Sequence, residues 1–379
     1  MKFTCDREGF QSALGLAALA VAGRSPRPQL TCVHIIATKA NGVSSVRLEG
    51  MDGEISLRLD FARVEVETPG RALIPAAKLS QIVSAQTDPT FTMEAEGAFL
   101  HVRGTDAHFK VYGYPPADFP PIETPGEAKF SVPADLIMKA VRSTIYATAK
   151  EHTRYAINGV LLLREGKTLE AVATDGRRLA IYTRDGSHFA GKFNVLVPTK
   201  ALSTLIKLLD QPDEMVHISS DGYDGTQMAM AIGDVNAPRA VLTTSLIEGA
   251  FPPYRDVLPK ENDIIITFNV AKFNAAIQKA ALLTNEESRG VRFAFKKGSD
   301  RVEITSRAPE QGEAEVGCGI ESAKGLTSDL EIGFNPAFLR DVLRVVDGET
   351  VEFHLKAPNK PGLFVSGPQR CVVMPVALT

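Results

Sequence analysis

The chain has 379 residues, with 42 Lys and Arg against 45 Asp and Glu, a formal net charge of −3. At about 100–200 residues per domain, that length predicts two or three domains, each able to bury a core without disulfides or metal staples. Near-neutral charge excludes a histone-like polycation, and 44% hydrophobic with 23% charged residues excludes wholesale disorder. Nucleic-acid binding stays open, because it depends on where the basic residues sit rather than on their sum.

In chain order, Lys2-Phe-Thr-Cys reads as a short strand running into a helical pattern over residues 7–22. The apolar run Ala13–Ala22 is too short to span a bilayer. Asp6 and Glu8 precede it, where a secretory leader carries only positive charge, so it is expected to be a helix of a cytoplasmic protein. A strand at Ser45-Val-Arg-Leu follows, and Ala72-Leu-Ile-Pro-Ala-Ala-Lys-Leu reads as a strand entering a second, shorter helix. The same order returns from Lys129-Phe-Ser-Val, through a helical pattern over 133–150 and Leu169-Glu-Ala-Val, to Val195-Leu-Val-Pro-Thr-Lys-Ala-Leu. It returns again from Ile265-Ile-Thr-Phe, through 270–285 and Arg301-Val-Glu-Ile, to Glu331-Ile-Gly-Phe-Asn-Pro-Ala-Phe-Leu. Leu79, Leu202 and Leu339 align in the three short helices. Proline-rich phrases at Tyr114–Pro121 and Gly249–Tyr254 close the first two units and suit connectors better than central strands. Three related α+β domains are therefore expected, at 1–125, 126–258 and 259–379.

The helices distribute their charge in a repeating way. In 133–150, Leu136, Ile137, Ala140, Val141 and Thr144 share one face, while Lys139, Arg142, Tyr146 and Lys150 stand on the other without a carboxylate. In 270–285, Phe273, Ala276, Ile277 and Ala280 form the core side and Lys272 and Lys279 the opposite one. The short helices follow with Lys200 and Lys207, and with Arg340 and Arg344. Such faces suit phosphates and carry no base-reading information. The first repeat fits poorly: its helix offers Arg7, Gln11 and Ser12, with Leu16 and Leu19 toward solvent.

Motifs for catalysis are missing. The chain contains no G-x-S-x-G elbow, Walker A loop, H-E-x-x-H or G-x-G-x-x-G. Cys5, Cys32, Cys318 and Cys371 lie far apart, which fits thiols of a reducing compartment and gives no zinc signature. His101 and His108 flank Asp106 in a strand–turn–strand pattern and read as surface histidines. The densest phrase is Ala171-Val-Ala-Thr-Asp-Gly-Arg-Arg-Leu-Ala-Ile, a β-hairpin turning at Asp175-Gly176, whose paired arginines the turn does not explain.

With these residues in view, the chain resembles the bacterial sliding clamps, the beta subunit of DNA polymerase III, over essentially its whole length. The resemblance is carried by Met1-Lys-Phe-Thr, Thr174-Asp-Gly-Arg-Arg-Leu-Ala, Glu248-Gly-Ala-Phe-Pro-Pro-Tyr-Arg-Asp-Val-Leu-Pro, Ile332-Gly-Phe-Asn and Val372-Val-Met-Pro-Val. It implies three clamp-type α+β domains, each with two helices on antiparallel sheets, and two chains closed head to tail into a ring. It implies a non-catalytic processivity factor, without cofactor or metal, that encircles duplex DNA without sequence preference and tethers the replicative polymerase. A clamp loader, other proteins carrying clamp-binding motifs and the second copy of the chain are the further partners implied, and no membrane.

The resemblance also implies a partner-peptide cleft of Arg154, Ile157, Thr174, Gly176, Arg178 and Leu179, with Pro252 and Val257. Asn335, Phe338, Val372, Met374, Pro375 and Val376 would complete it. Phosphate contacts transfer to Arg24, Arg103, Lys150 and Lys200, beside the Lys139, Arg142, Lys272 and Lys279 read from the helices. Arg177, Asp256 and the Ala377-Leu378-Thr379 end depart from the family pattern and bear on partner specificity. A peptide-binding scaffold that does not close into a ring, and a carboxylate-dependent nuclease, are the alternatives.

Overall fold

The computed structural model describes residues 1–123, 126–150, 155–185, 193–220, 226–259, 263–284, 290–309 and 311–377. The first repeat runs β1 (Lys2–Asp6), α1 (Arg7–Ala17), β2 (Cys32–Ala40), β3 (Val43–Met51), β4 (Ile55–Phe61), β5 (Val64–Thr68), β6 (Gly70–Pro75), α2 (Ala76–Ala85), β7 (Thr90–Glu96), β8 (Phe99–Arg103) and β9 (His108–Tyr112). The second runs β10 (Phe130–Pro133), α3 (Ala134–Arg142), β11 (Gly159–Glu165), β12 (Thr168–Thr174), β13 (Arg178–Asp185), β14 (Phe193–Pro198), α4 (Thr199–Leu208), β15 (Met215–Ser220), β16 (Gln227–Gly233) and β17 (Pro238–Ser245). The third runs β18 (Ile264–Asn269), α5 (Val270–Ala280), β19 (Val291–Phe295), β20 (Arg301–Ala308), β21 (Gly312–Gly319), β22 (Ser322–Lys324), β23 (Leu330–Phe334), α6 (Pro336–Val345), β24 (Thr350–Leu355), β25 (Gly362–Ser366) and β26 (Gln369–Val373).

By packing, the chain divides into two compact units, Met1–Met138 with Lys200–Leu246, and Lys139–Thr199 with Ile247–Thr379. The first holds a sheet ordered β5-β1-β7-β8-β9 and a larger one ordered β10-β15-β16-β17-β4-β3-β2-β6. In the larger sheet β17 of the second repeat pairs antiparallel with β4 of the first, Leu242 opposite Leu57. The second unit holds sheets ordered β14-β11-β12-β13-β26-β25-β24-β18-β22 and β21-β20-β19-β23. There β13 pairs with β26, Leu179 opposite Val372. Strand edges of neighbouring repeats thus satisfy one another's backbone groups, which removes four association-prone edges at two junctions.

Helix entry follows the sequence closely. The Asp6 carboxylate caps α1 by accepting from Gly9 N at 2.7 Å, and Asn269 caps α5 through Lys272 N at 3.1 Å. Asn335 caps α6 by accepting from Ala337 N at 2.9 Å. A short polar side chain at this position satisfies an otherwise orphaned donor. Leu79, Leu202 and Leu339 are each 0% exposed, so the aligned leucines are equivalent core residues. Around α1, Phe10 meets Phe61 and Phe91 edge-on at 5.8 and 5.9 Å. Around α5, Phe273 stacks on Phe268 at 3.9 Å. Burying each such ring contributes roughly 2–3 kcal/mol.

The long helices are shorter than their apolar spacing predicts. Helix α1 ends at Ala17, α3 at Arg142 and α5 at Ala280, followed by 3-10 turns at Ala18–Ala20, Ile145–Ala147 and Ala281–Leu283. After α3 the cause is visible: Thr144 Oγ1 donates to Ala140 O at 2.9 Å and to Val141 O at 3.3 Å. A side chain that takes the carbonyls a continuing helix needs favours its termination. Tyr146 therefore leaves the cationic face on which 3.6-residue spacing had placed it. Its hydroxyl donates to Cys371 Sγ at 3.1 Å, and burial, the first cause, holds that phenol well above the usual tyrosine range.

Candidate binding cavity and basic helix faces

The hairpin of β12 and β13 builds the centre of the site. Gly176 occupies the turn at φ 84, a left-handed conformation that a residue without Cβ adopts at low cost. Asp175 Oδ1 accepts from Arg177 N at 2.9 Å and from Arg178 N at 3.0 Å, while Thr174 Oγ1 accepts from Gly176 N at 3.1 Å. The turn is thereby fixed, and with it the two arginines that the hairpin alone left unexplained.

Arg178 is spent inward. Its Nε donates to Asp175 Oδ2 at 3.0 Å, Nη1 to Asp341 Oδ2 at 2.7 Å and Nη2 to Tyr146 O at 2.7 Å. The guanidinium also lies 4.6 Å from the Phe338 ring centroid and 5.3 Å from that of Tyr146. A planar fork that satisfies two carboxylates and a carbonyl while stacking on rings is work that lysine cannot do. Phe338 and Arg178 thus meet directly.

Beside this hub opens a largely apolar cavity of about 200 Å³, lined by Tyr155, Ile157, Thr174, Gly176, Arg177, Arg178, Leu179, Pro252, Tyr254, Val257, Val372 and Met374. Nine of the residues expected at a cleft come together here. Asn335 serves α6 as its cap, and Phe338, Pro375 and Val376 do not line the cavity. Arg154 lies outside the described residues. Sequence reasoning missed Tyr155, Arg177 and Tyr254 as lining residues. Tyr254 closes the Phe-Pro-Pro-Tyr phrase, and that aromatic was the available signal. Its hydroxyl donates to Glu170 Oε1, which also accepts from Arg255 Nη2 at 3.0 Å, pinning the connector against β12. Burial, then the Glu170 bond, pushes the Tyr254 phenol upward.

The tail forms one wall. Met374 N donates to Arg177 O and Val376 N to Gly333 O, both at 2.9 Å. Val372 is 1% exposed, whereas Met374 is 38% exposed at the cavity.

The basic candidates fall into two groups. Arg24, Lys139, Arg142, Lys150 and Lys279 are exposed, as is Lys272, 3.8 Å from Glu321. Arg103 and Lys200 are committed to ion pairs, with Glu94 and Asp52 respectively, and Arg103 lies on strand β8 rather than on a helix. Among the short-helix cations, Lys207 and Arg344 are exposed while Arg340 is half-buried. In α1, Leu16 and Leu19 are half-buried rather than wet. Among the described residues no group of three or more His, Cys, Asp or Glu is placed to hold a metal ion. No helix is long and apolar enough to cross a membrane among those residues.

Repeated α+β domains with a largely apolar cavity and cationic helix faces are the architecture of the clamp class. Family models for the DNA polymerase III beta subunit match three times: the N-terminal domain at 1–123, the central domain at 131–253 and the C-terminal domain at 255–376. The chain is 32% identical to the beta sliding clamp of Pseudomonas aeruginosa over 100% of both proteins. It is 30% identical to that of Escherichia coli K12 over 94% of this chain and 93% of the relative. The crystal structure of a sliding clamp from Pseudomonas aeruginosa bound to griselimycin matches with a TM-score of 0.88 at 30% identity. That of the clamp from Bacillus subtilis matches with 0.89 at 25% identity, and each comparison covers 100% of both chains. The chain belongs to the DNA polymerase III beta subunit family, the sliding clamps, which are non-catalytic processivity factors.

Proposed function

We propose that two copies of this chain close head to tail into a ring that encircles duplex DNA and tethers the replicative polymerase and other clamp-binding proteins. The observation that carries it is a pair of unused edges. The last strand of the second repeat, β17, pairs with β4, and the last strand of the third, β26, pairs with β13. Strands β4, β13 and β21 hold equivalent places, third after the first helix of each repeat, and β9, β17 and β26 are the equivalent last strands. That leaves β9 and β21, each a terminal strand of its sheet, without a neighbour beyond them among the described residues. A copy's β9 meeting another's β21 repeats the internal junction, and a heterologous contact whose rotation closes gives a ring.

Side chains agree with this pairing. Exposed His108 and Lys110 lie on β9, and exposed Glu313 and Glu315 on β21. Tyr112 on β9 is 72% exposed, and Leu282 in the 3-10 turn packed against β21 is 76% exposed, both costly to leave wet. Exposed Arg24, Lys139, Arg142, Lys150, Lys272 and Lys279 are proposed to meet phosphates. Arg103 and Lys200 could join them only by exchanging carboxylate partners. The cavity at Ile157, Thr174, Leu179, Val257, Val372 and Met374 is proposed to seat an apolar partner peptide, for which its lining is suited. A Met on its rim adapts to varied anchors. Boundaries near 125 and 258 are proposed for the domains, supported by matches ending at 123 and 253. The cytoplasm is the proposed location. Tethering raises the polymerase's effective concentration at the primer end without chemistry by the clamp.

Sedimentation should give about 82 kDa, twice the chain's 40.9 kDa. Loaded protein should stay on circular DNA and slip off once the circle is cut. A 40.9 kDa species, or equal retention on linear DNA, overturns the ring.

A further inference from the structure

We propose that His101 and His108 are two ligands of a zinc-class metal site that a second copy of this chain completes, so that the ion clips the junction between protomers. The proposal rests on closure through β9 and β21. His101 Nδ1 and His108 Nε2 face each other at 2.9 Å, with ring centroids 5.1 Å apart and planes 30° apart. Both nitrogens are of the kind that ligate zinc. A tetrahedral zinc ion with Zn–N near 2.0–2.1 Å holds neighbouring nitrogens about 3.3 Å apart. Seating the ion opens the pair by only a few tenths of an ångström and turns both rings toward one point, which half-buried His101 and exposed His108 on a hairpin can supply.

The surrounding charges explain why one protomer is not enough. His101 stands opposite Glu94 on β7 and Lys110 on β9, and His108 opposite Arg103. The Glu94 carboxylate is taken by Arg103, and the Lys110 ammonium sits 4.1 Å above the Phe99 ring. Lys2, opposite Glu94 on β1, pairs with Glu67. These neighbours add positive charge without a third ligand. Strand β21 brings the opposite character. Glu313 pairs with Arg307 at 3.0 Å, but Glu315 has no ion pair among the described residues. In an antiparallel ladder, outward residues of one strand lie beside outward residues of the next. The exposed His108 and Lys110 row and the exposed Glu313 and Glu315 row then share a surface. Two imidazoles and a carboxylate form a three-ligand set of the kind zinc takes with water in the fourth position.

The test uses the full-length chain, stripped with chelator and titrated with Zn²⁺ by calorimetry, while subunit exchange is followed with and without the ion. One Zn²⁺ per protomer is expected, bound at least tenfold more weakly in His101→Gln, His108→Gln and Glu315→Gln, with exchange slowed at least tenfold by Zn²⁺ in the unaltered protein alone. A dimer that binds Zn²⁺ no better than the histidine variants overturns the metal site and leaves the ring standing. Zinc binding that needs the histidines but ignores Glu315→Gln overturns the shared site. A chain that stays monomeric overturns the ring, and the site with it.

Discussion

Arg178 Nη1 donates to Asp341 Oδ2 across 2.7 Å, tying the 174–178 turn to α6. Asp341 also lies 3.8 Å from the exposed Arg344. The wall of the cavity is therefore anchored to a helix whose outer side carries one of the repeat's cations. The Arg178 side chain is only 10% exposed, so its charge is compensated by these partners rather than by water.

Removing it should be costly. Arg178→Ala leaves Asp175 and Asp341 without their shared cation and is expected to destabilise the fold by about 3 kcal/mol. Arg178→Lys should recover charge but not the fork, and so less than half of that loss. Urea denaturation, read beside peptide affinity, checks both. An alanine variant with an unchanged midpoint would show the bonds to be incidental.

The helix cations should act as phosphate contacts. Replacing Lys139, Arg142 and Lys150 together by glutamine is expected to weaken DNA association and to flatten its salt dependence. Each contact removed lowers the log–log slope by about 0.9. A slope equal to that of the unaltered protein places this face away from DNA.

Much of this was legible in the sequence for identifiable reasons. The repeat was, because Leu79, Leu202 and Leu339 fill the same core position, and burial constrains residue type strongly. The hairpin was, because Asp175-Gly176 is local turn chemistry. The ends of the long helices were not. Apolar spacing continues through Thr144, and only the hydroxyl's hold on the Ala140 carbonyl shows that the helix has stopped. The role of Arg178 was also hidden, since Tyr146 and Asp341 are distant in the chain and only folding brings them to it. The carboxylates beside Arg103 and Lys200 escaped notice similarly: Glu94 is on a neighbouring strand and Asp52 in the turn after β3, and neither placement leaves a spacing signal.

The buried thiols predict a pH window. Burial pushes Cys32 and Cys371 up to about 11, from an ordinary value of 9.0. A group raised in the folded state contributes stability fully below its unfolded value and loses it as pH rises through the folded value. The melting temperature should thus fall between about pH 9 and 11. All four cysteines are buried, so none should react with an alkylating reagent at pH 8 until the chain unfolds, when all four should. A thiol that is modified at once in the native protein contradicts the packing.

The tail gives the sharpest test of the cavity. Val372 and Val373 belong to strand β26, which pairs with both β13 and β25, so the chain up to 373 is held by two ladders. Beyond it, among the described residues, the Met374 and Val376 backbone bonds to Arg177 and Gly333 hold the end. Deleting residues 374–379 should therefore leave β26, the dimer and DNA encirclement intact while removing the Met374 wall. Truncating a central contact of this kind typically costs about 2 kcal/mol or more, at least a thirtyfold loss in affinity. Calorimetry with an apolar peptide carrying Leu and Phe anchors, beside the oligomer mass of the same truncated protein, decides the matter. Undiminished affinity would remove the tail from the partner site. Loss of the dimer would make the end a structural element of the ring instead.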